Sequence, residues 1–140
     1  MRYVYPVLLK PSETGGWIAS FPDVPEALTE ADTQEEALYW AKDALEVAFI
    51  GYMEQNRDIP VPSLPEQDRP IIPVSPLKAA KLALYQAMRE HGMNQLGLAE
   101  KLQCDPRQIR RLLDLDHRSR MDLLESALRV FGKRLVVEAA

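Results

Sequence analysis

The spacing of apolar and polar residues changes period along the chain, and each change predicts an element. Tyr3 to Leu9 and Trp17 to Phe21 are β-branched and aromatic, the mark of half-buried strands, with Pro6 placing an edge or bulge in the first. Gly15 and Gly16 supply the turn between them, and Ala27 to Thr29 forms a short third strand after the Pro22 to Pro25 corner. The period then becomes helical. Leu38, Ala41, Leu45, Ala48, Phe49 and Tyr52 recur at helical spacing behind Thr33 and Glu36, which have the spacing of a capping box. A helix of about five turns is expected, covering one face of the sheet. Its outer, solvated face would carry Glu35, Glu36, Asp43 and Glu46.

Ile59 to Pro76 holds six prolines and reads as an extended linker, with Ile71 to Val74 able to add an edge strand before a boundary near Val74. Ser75 and Pro76 start a helix whose apolar face is Leu77, Ala80, Leu84, Ala87 and Met88, ended by Gly92. A last helix from Ser119 and Asp122 turns Met121, Leu124, Leu128 and Phe131 inward up to Gly132, and Leu135 to Val137 forms a short terminal strand. The expected class is α+β. Residues 1–74 form a small antiparallel sheet with one covering helix, and residues 75–140 an all-α domain with a terminal strand. A lone strand leaves backbone groups unpaired, and its simplest neighbour is its own copy. A homodimer through the carboxy-terminal domain follows, with pairing into tetramers left open.

Between these helices lies MNQLGLAEKLQCDPRQIRRLL, Met93 to Leu113, which reads as two short helices around a tight turn. Asn94 is an N-cap, Leu98, Ala99 and Leu102 face inward, and Gln103 and Cys104 make the turn. Gln103 stands where glycine is usual, because that backbone favours positive φ. Asp105 and Pro106 then start a second helix with Ile109, Leu112 and Leu113 inward and Arg107, Gln108, Arg110 and Arg111 outward. Arginine pairs bidentately with guanine and glutamine with adenine in the major groove, so this is a candidate DNA-reading helix-turn-helix. Asn94, Gln95, Arg107, Gln108, Arg110, Arg111 and Arg118 are its candidate DNA contacts. A dimer would set two such helices about one DNA turn apart on a palindromic operator. The plainer reading is a helical hairpin with a solvated arginine face.

Charge sharpens the division. The net charge is −4, but Met1 to Glu66 carries 4 Lys or Arg against 12 Asp or Glu, whereas Gln67 to Ala140 carries 13 against 9. An acidic half suits a basic partner and a basic half suits nucleic acid. Cys104 is the one cysteine, which excludes a disulfide and a cysteine-based zinc site and fits small buried packing. No apolar run approaches the ~18 residues of a membrane span, so a cytoplasmic protein is expected. The first two strands contain no carboxylate, unlike a Mg²⁺-dependent nuclease. Gly15-Gly16 lacks the Lys and Ser or Thr of a phosphate loop, and His91 and His117 stand at helix ends, where histidine more often satisfies carbonyls or solvent. No catalysis, cofactor or metal is expected.

Three stretches taken together, GGWIASFPD from Gly15, ADTQEEA from Ala31 and the tail HRSRMDLLESALRVFGKRLVV ending at Val137, give a pattern that resembles the HicB antitoxins over essentially the whole chain. Glu26 stands where that family commonly has glycine after the proline. The resemblance implies an amino-terminal domain of partial RNase H-like fold that binds and masks HicA, a small basic toxin that cleaves messenger RNA. It further implies a carboxy-terminal domain that represses the operon. Candidate toxin contacts are Trp17, Glu35, Glu36, Asp43 and Glu46; Trp17 is either an exposed contact or packing under the helix. Two other readings compete: a stand-alone repressor whose amino-terminal domain senses a small ligand, and an enzyme acting on RNA. A short basic reading frame beside the gene favours the antitoxin.

Overall fold

The computed structural model describes residues 1–140 and is of mixed α+β class. The chain divides into two compact units, Met1–Val74 and Ser75–Ala140. In the first unit the elements are β1 (Val4–Pro6), β2 (Leu8–Pro11), β3 (Trp17–Phe21), β4 (Val24–Ala31), α1 (Gln34–Glu54) and β5 (Ile71–Pro73). The single strand expected over Tyr3 to Leu9 is two: β1 pairs antiparallel with β5, and β2 pairs with β3. Pro6 cannot donate to a ladder, and the break falls immediately after it, where Val7 N–H donates to the Pro70 carbonyl at 3.0 Å. The third strand is longer than expected. A register shift between Ser20 and Phe21 lets Val24 pair with Phe21, so β4 resumes directly after the Pro22–Asp23 turn. Its order β2-β3-β4 makes β4 an edge, where Pro25 is tolerated.

Residues opposite one another on neighbouring strands share a face. One face carries the Leu9, Ala19, Thr29 row and is covered; the other carries Leu8, Ser20 and Leu28 and is open. Helix α1 lies over the covered face and buries Ala37, Ala41, Leu45, Phe49 and Tyr52. Full burial of Leu45 and Phe49 contributes about 2 kcal/mol each. Thr33 caps the helix by accepting from Glu36 N–H at 3.1 Å. At the β2–β3 turn, Gly15 has φ of +94°, and a Cβ on Gly16 would lie 2.6 Å from the Ala31 carbonyl oxygen, so the turn admits no side chain there.

The proline-rich segment is a strap held to the sheet rather than a free linker. Ile59 is buried, Tyr5 Oη donates to the Pro60 carbonyl at 2.7 Å, and Ser63 N–H donates to Asp23 at 2.8 Å while its hydroxyl takes the other carboxylate oxygen. Each proline removes an N–H that could bond within the segment, and the Pro60 carbonyl is left for a side chain of the sheet. Burial pushes the Tyr5 phenol well above its ordinary pKa.

The second unit consists of α2 (Pro76–His91), α3 (Gln95–Leu102), α4 (Pro106–Leu113) and α5 (Met121–Arg129). Ala80, Leu84 and Met88 of α2 meet Leu98, Ala99, Ile109, Leu112, Leu124, Ala127 and Leu128 in one core, with Cys104 at its margin. Gly92 closes α2 in the left-handed conformation. Helix α5 is entered through Arg120 rather than capped by Ser119, because the Ser119 hydroxyl is committed to the Arg111 carbonyl. The expected terminal strand is not formed in the single chain: residues 133–140 have no regular structure, with Leu135 against the core and Val136 and Val137 exposed. A strand requires a neighbour, and one copy offers none there. No helix is long and apolar enough to cross a membrane.

Candidate nucleic-acid and protein interfaces

Helices α3 and α4 meet at the turn the sequence predicts. Asn94 caps α3 by accepting from Gly97 N–H at 2.8 Å, and Gln103 takes φ 53° and ψ 47°. Asp105 caps α4 by accepting from Arg107 N–H at 2.8 Å. Ile109 and Leu112 are buried, while Arg107, Gln108, Arg110, Arg111 and Arg118 are exposed, as are Asn94 and Gln95 at the start of α3. The outer face of α4 thus presents groups able to pair with base edges and phosphates. Arg107 differs from its neighbours, since its guanidinium folds back on Asp105 at 3.0 Å. That hydrogen bond, reinforced by the Arg107 N–H, holds the Asp105 carboxyl below its usual pKa.

A residue that periodicity did not single out supports this face. Lys81 of α2 is fully buried, and its Nζ donates to the Arg111 carbonyl at 2.7 Å and to Ser119 Oγ at 2.6 Å. Desolvation pushes its pKa down to about 8, with the Asp114 charge opposing. The contact fixes the C-terminal end of α4 and the loop beyond it, where His117 Nδ1 lies 3.1 Å from the same hydroxyl. A lysine among alanines and leucines was the available signal in the sequence. His91 instead contacts the Ala87 carbonyl at 2.8 Å and packs on Phe131.

On α1, Glu35, Glu36 and Asp43 are exposed as expected, but Glu46 is not: it is buried, one residue after Leu45 on the flank of the covered stripe. Outward positions of the helix are filled instead by large apolar side chains. Tyr39 is 72% exposed, Trp40 51% and Val47 57%, and the two rings make an edge contact at 5.2 Å. Beside them a groove of about 510 Å³ runs between α1 and β5, lined by Leu38, Tyr39, Trp40, Ile72 and Pro73 together with Lys42, Asp43 and Glu46. Trp17 pairs with Pro11 and Ala31 on the helix-covered face of the sheet and is half-buried. That position favours packing over an exposed contact.

The carboxylates that β4 adds are each engaged. Glu26 accepts from Tyr52 Oη at 2.7 Å and from Arg57 at 2.9 Å, and Arg57 lies over the Tyr52 ring at 4.0 Å. The Tyr52 hydrogen bond, then Arg57, hold Glu26 below the usual carboxylate pKa. Glu26 therefore ties the edge strand to the end of α1. Glu30 is held likewise, chiefly by Ser12 and then Thr14. No three His, Cys, Asp or Glu side chains are grouped to hold a metal ion.

Comparison with known proteins adds an independent finding. Residues 4–83 match a family model described as HicB-like antitoxin of bacterial toxin-antitoxin system. The chain is 42% identical over 135 residues to Antitoxin HicB 2 of Photorhabdus laumondii, covering 96% of this chain and 95% of that protein. It is 39% identical over 133 residues to Antitoxin HicB 1 of the same organism, covering 95% and 84%. Over 131 residues it is 39% identical to Antitoxin HicB of Escherichia coli K12, covering 94% and 95%.

Proposed function

Because the chain belongs to the HicB-like antitoxins of bacterial toxin-antitoxin systems, we propose that it neutralises a small basic HicA-type toxin that cleaves messenger RNA, and represses the operon encoding the pair. In this reading residues 1–74 bind the toxin and residues 75–140 bind operator DNA, in the cytoplasm and by binding rather than catalysis. The observation that carries it is the separation of surfaces: exposed carboxylates Glu35, Glu36 and Asp43 on α1 in one unit, exposed Arg110, Arg111 and Gln108 on α4 in the other. Opposite fields of this kind speed encounter with a basic protein and a polyanion respectively.

DNA binding by a palindrome reader needs two copies. The tail, which has no regular structure and exposes Val136 and Val137, lies on the unit that carries α4, and we take strand pairing of this tail with its own copy as the dimer contact. The test is co-expression with the adjacent small reading frame. Relief of growth arrest with co-purification of the two proteins is expected, together with a shift of the operon's promoter DNA by the purified chain. Arrest that persists, with no co-purification and intact DNA binding, would replace the antitoxin by a ligand-sensing repressor.

A further inference from the structure

We infer that Tyr39 and Trp40, with the groove between α1 and β5, form the apolar anchor of the surface that receives the basic toxin; the inference rests on the antitoxin reading above. Helix α1 already has a complete buried stripe in Ala37, Ala41, Leu45, Phe49 and Tyr52, so folding of the unit does not require an aromatic pair on the other side. Tyr39 nevertheless stands largely in solvent and Trp40 half in it, on a groove of about 510 Å³ that Ile72 and Pro73 also line. Large aromatic side chains at the centre of a patch, rimmed by charge, are the composition of a binding hot spot.

The rim selects the occupant. Glu36 and Asp43 are exposed one helical turn before and after Trp40, so an arginine laid on the indole meets a carboxylate on either side. Lys42 also lines the groove, but Asp43 and Glu46 outnumber it there, and with Glu36 these carboxylates repel nucleic acid. They also disfavour a second copy of this chain, because a two-fold contact centred here would set the acidic rim against itself. A basic protein presenting an arginine beside an apolar side chain satisfies both groove and rim.

The experiment measures toxin affinity of the full chain by titration calorimetry, with the toxin from the adjacent reading frame, for wild type, Tyr39→Ala, Trp40→Ala and Asp43→Lys. Leu28→Ala, on the open face of the sheet, is the control. Both aromatic variants are expected to bind at least about 30-fold more weakly, and Asp43→Lys to bind more weakly with reduced dependence on salt. Leu28→Ala should bind as wild type does, and every variant should still unfold cooperatively above the titration temperature, since each altered side chain is exposed and outside the buried stripe of α1. Wild-type binding with both alanine variants within threefold of it would place the anchor elsewhere and leave the antitoxin reading standing. Loss of self-association by light scattering, with toxin affinity retained, would assign the face to a second copy and overturn the inference. Absence of binding by the wild type itself would overturn the antitoxin reading, and the inference with it.

Discussion

The buried ammonium of Lys81 holds the Arg111 carbonyl at 2.7 Å, so a side chain that never meets solvent fixes the end of the most polar helix in the molecule. The Arg111 carbonyl also accepts from Asp114 N–H at 3.2 Å, and the lysine adds a charged donor at the negative end of α4, where burial makes the interaction strong while making the charge costly. Lys81→Ala removes the charged donor from the Arg111 carbonyl and from Ser119 Oγ, leaving the carbonyl only the Asp114 N–H and the Ser119 hydroxyl, and opens a cavity. It is expected to destabilise the 75–140 unit by about 2–4 kcal/mol in denaturant unfolding.

The same lysine makes stability depend on pH in a defined direction. Its folded pKa, pushed down to about 8, lies below the unfolded value of 10.5. Between those pH values the unfolded chain binds more protons, so the cost of burying the ammonium is carried in full below the lower value and is relieved as pH rises to the upper one. Relative to Lys81→Met, which keeps the volume and cannot titrate, wild type should gain about 3 kcal/mol as pH rises through that window. A difference that stays flat with pH would show that the ammonium is not desolvated in the folded chain.

On the exposed side of α4, Arg110→Ala and Arg111→Ala should each weaken operator binding without changing toxin affinity. Where the lost contact was to a phosphate, the slope of log affinity against log salt should fall by about 0.9. Arg107→Ala should cost less, because its guanidinium must first leave Asp105, 3.0 Å away. A band-shift titration at several salt concentrations checks all three.

Gln103 holds a left-handed backbone, φ 53°, at the turn between α3 and α4. Gln103→Gly should raise stability by about 0.5–1 kcal/mol, since glycine pays no Cβ penalty there. Gln103→Val should lower it, by crowding a β-branched side chain into the same conformation.

Glu26 answers to acid. Its pKa is depressed by the Tyr52 hydroxyl first and Arg57 next, so its contribution to stability is present above the unfolded carboxylate pKa and is lost as pH falls through the lower folded value. Tyr52→Phe and Glu26→Gln should therefore be less stable than wild type at neutral pH and converge with it in strong acid. Urea midpoints from neutral pH down into the acid range report this.

The sequence by itself determined the elements whose signals are local: the Thr33 and Asp105 caps, the core stripe from Ala41 to Tyr52, the positive φ at Gln103, and the outward set from Arg107 to Arg111. Each follows from backbone geometry within a few residues, so spacing suffices to read it. Only the tertiary structure decided the rest. The proline-rich stretch became a strap because Tyr5 and Asp23, distant in sequence, reach its backbone at Pro60 and Ser63. Glu46 went under and Tyr39 and Trp40 stayed out because the width of the face covering α1 is set by the sheet and β5, which helical periodicity does not contain. Lys81 lies within an apolar core because its partners, the Arg111 carbonyl and Ser119, are brought to it by α4 and the loop after it. A buried charge can be understood only once the groups that satisfy it are in place.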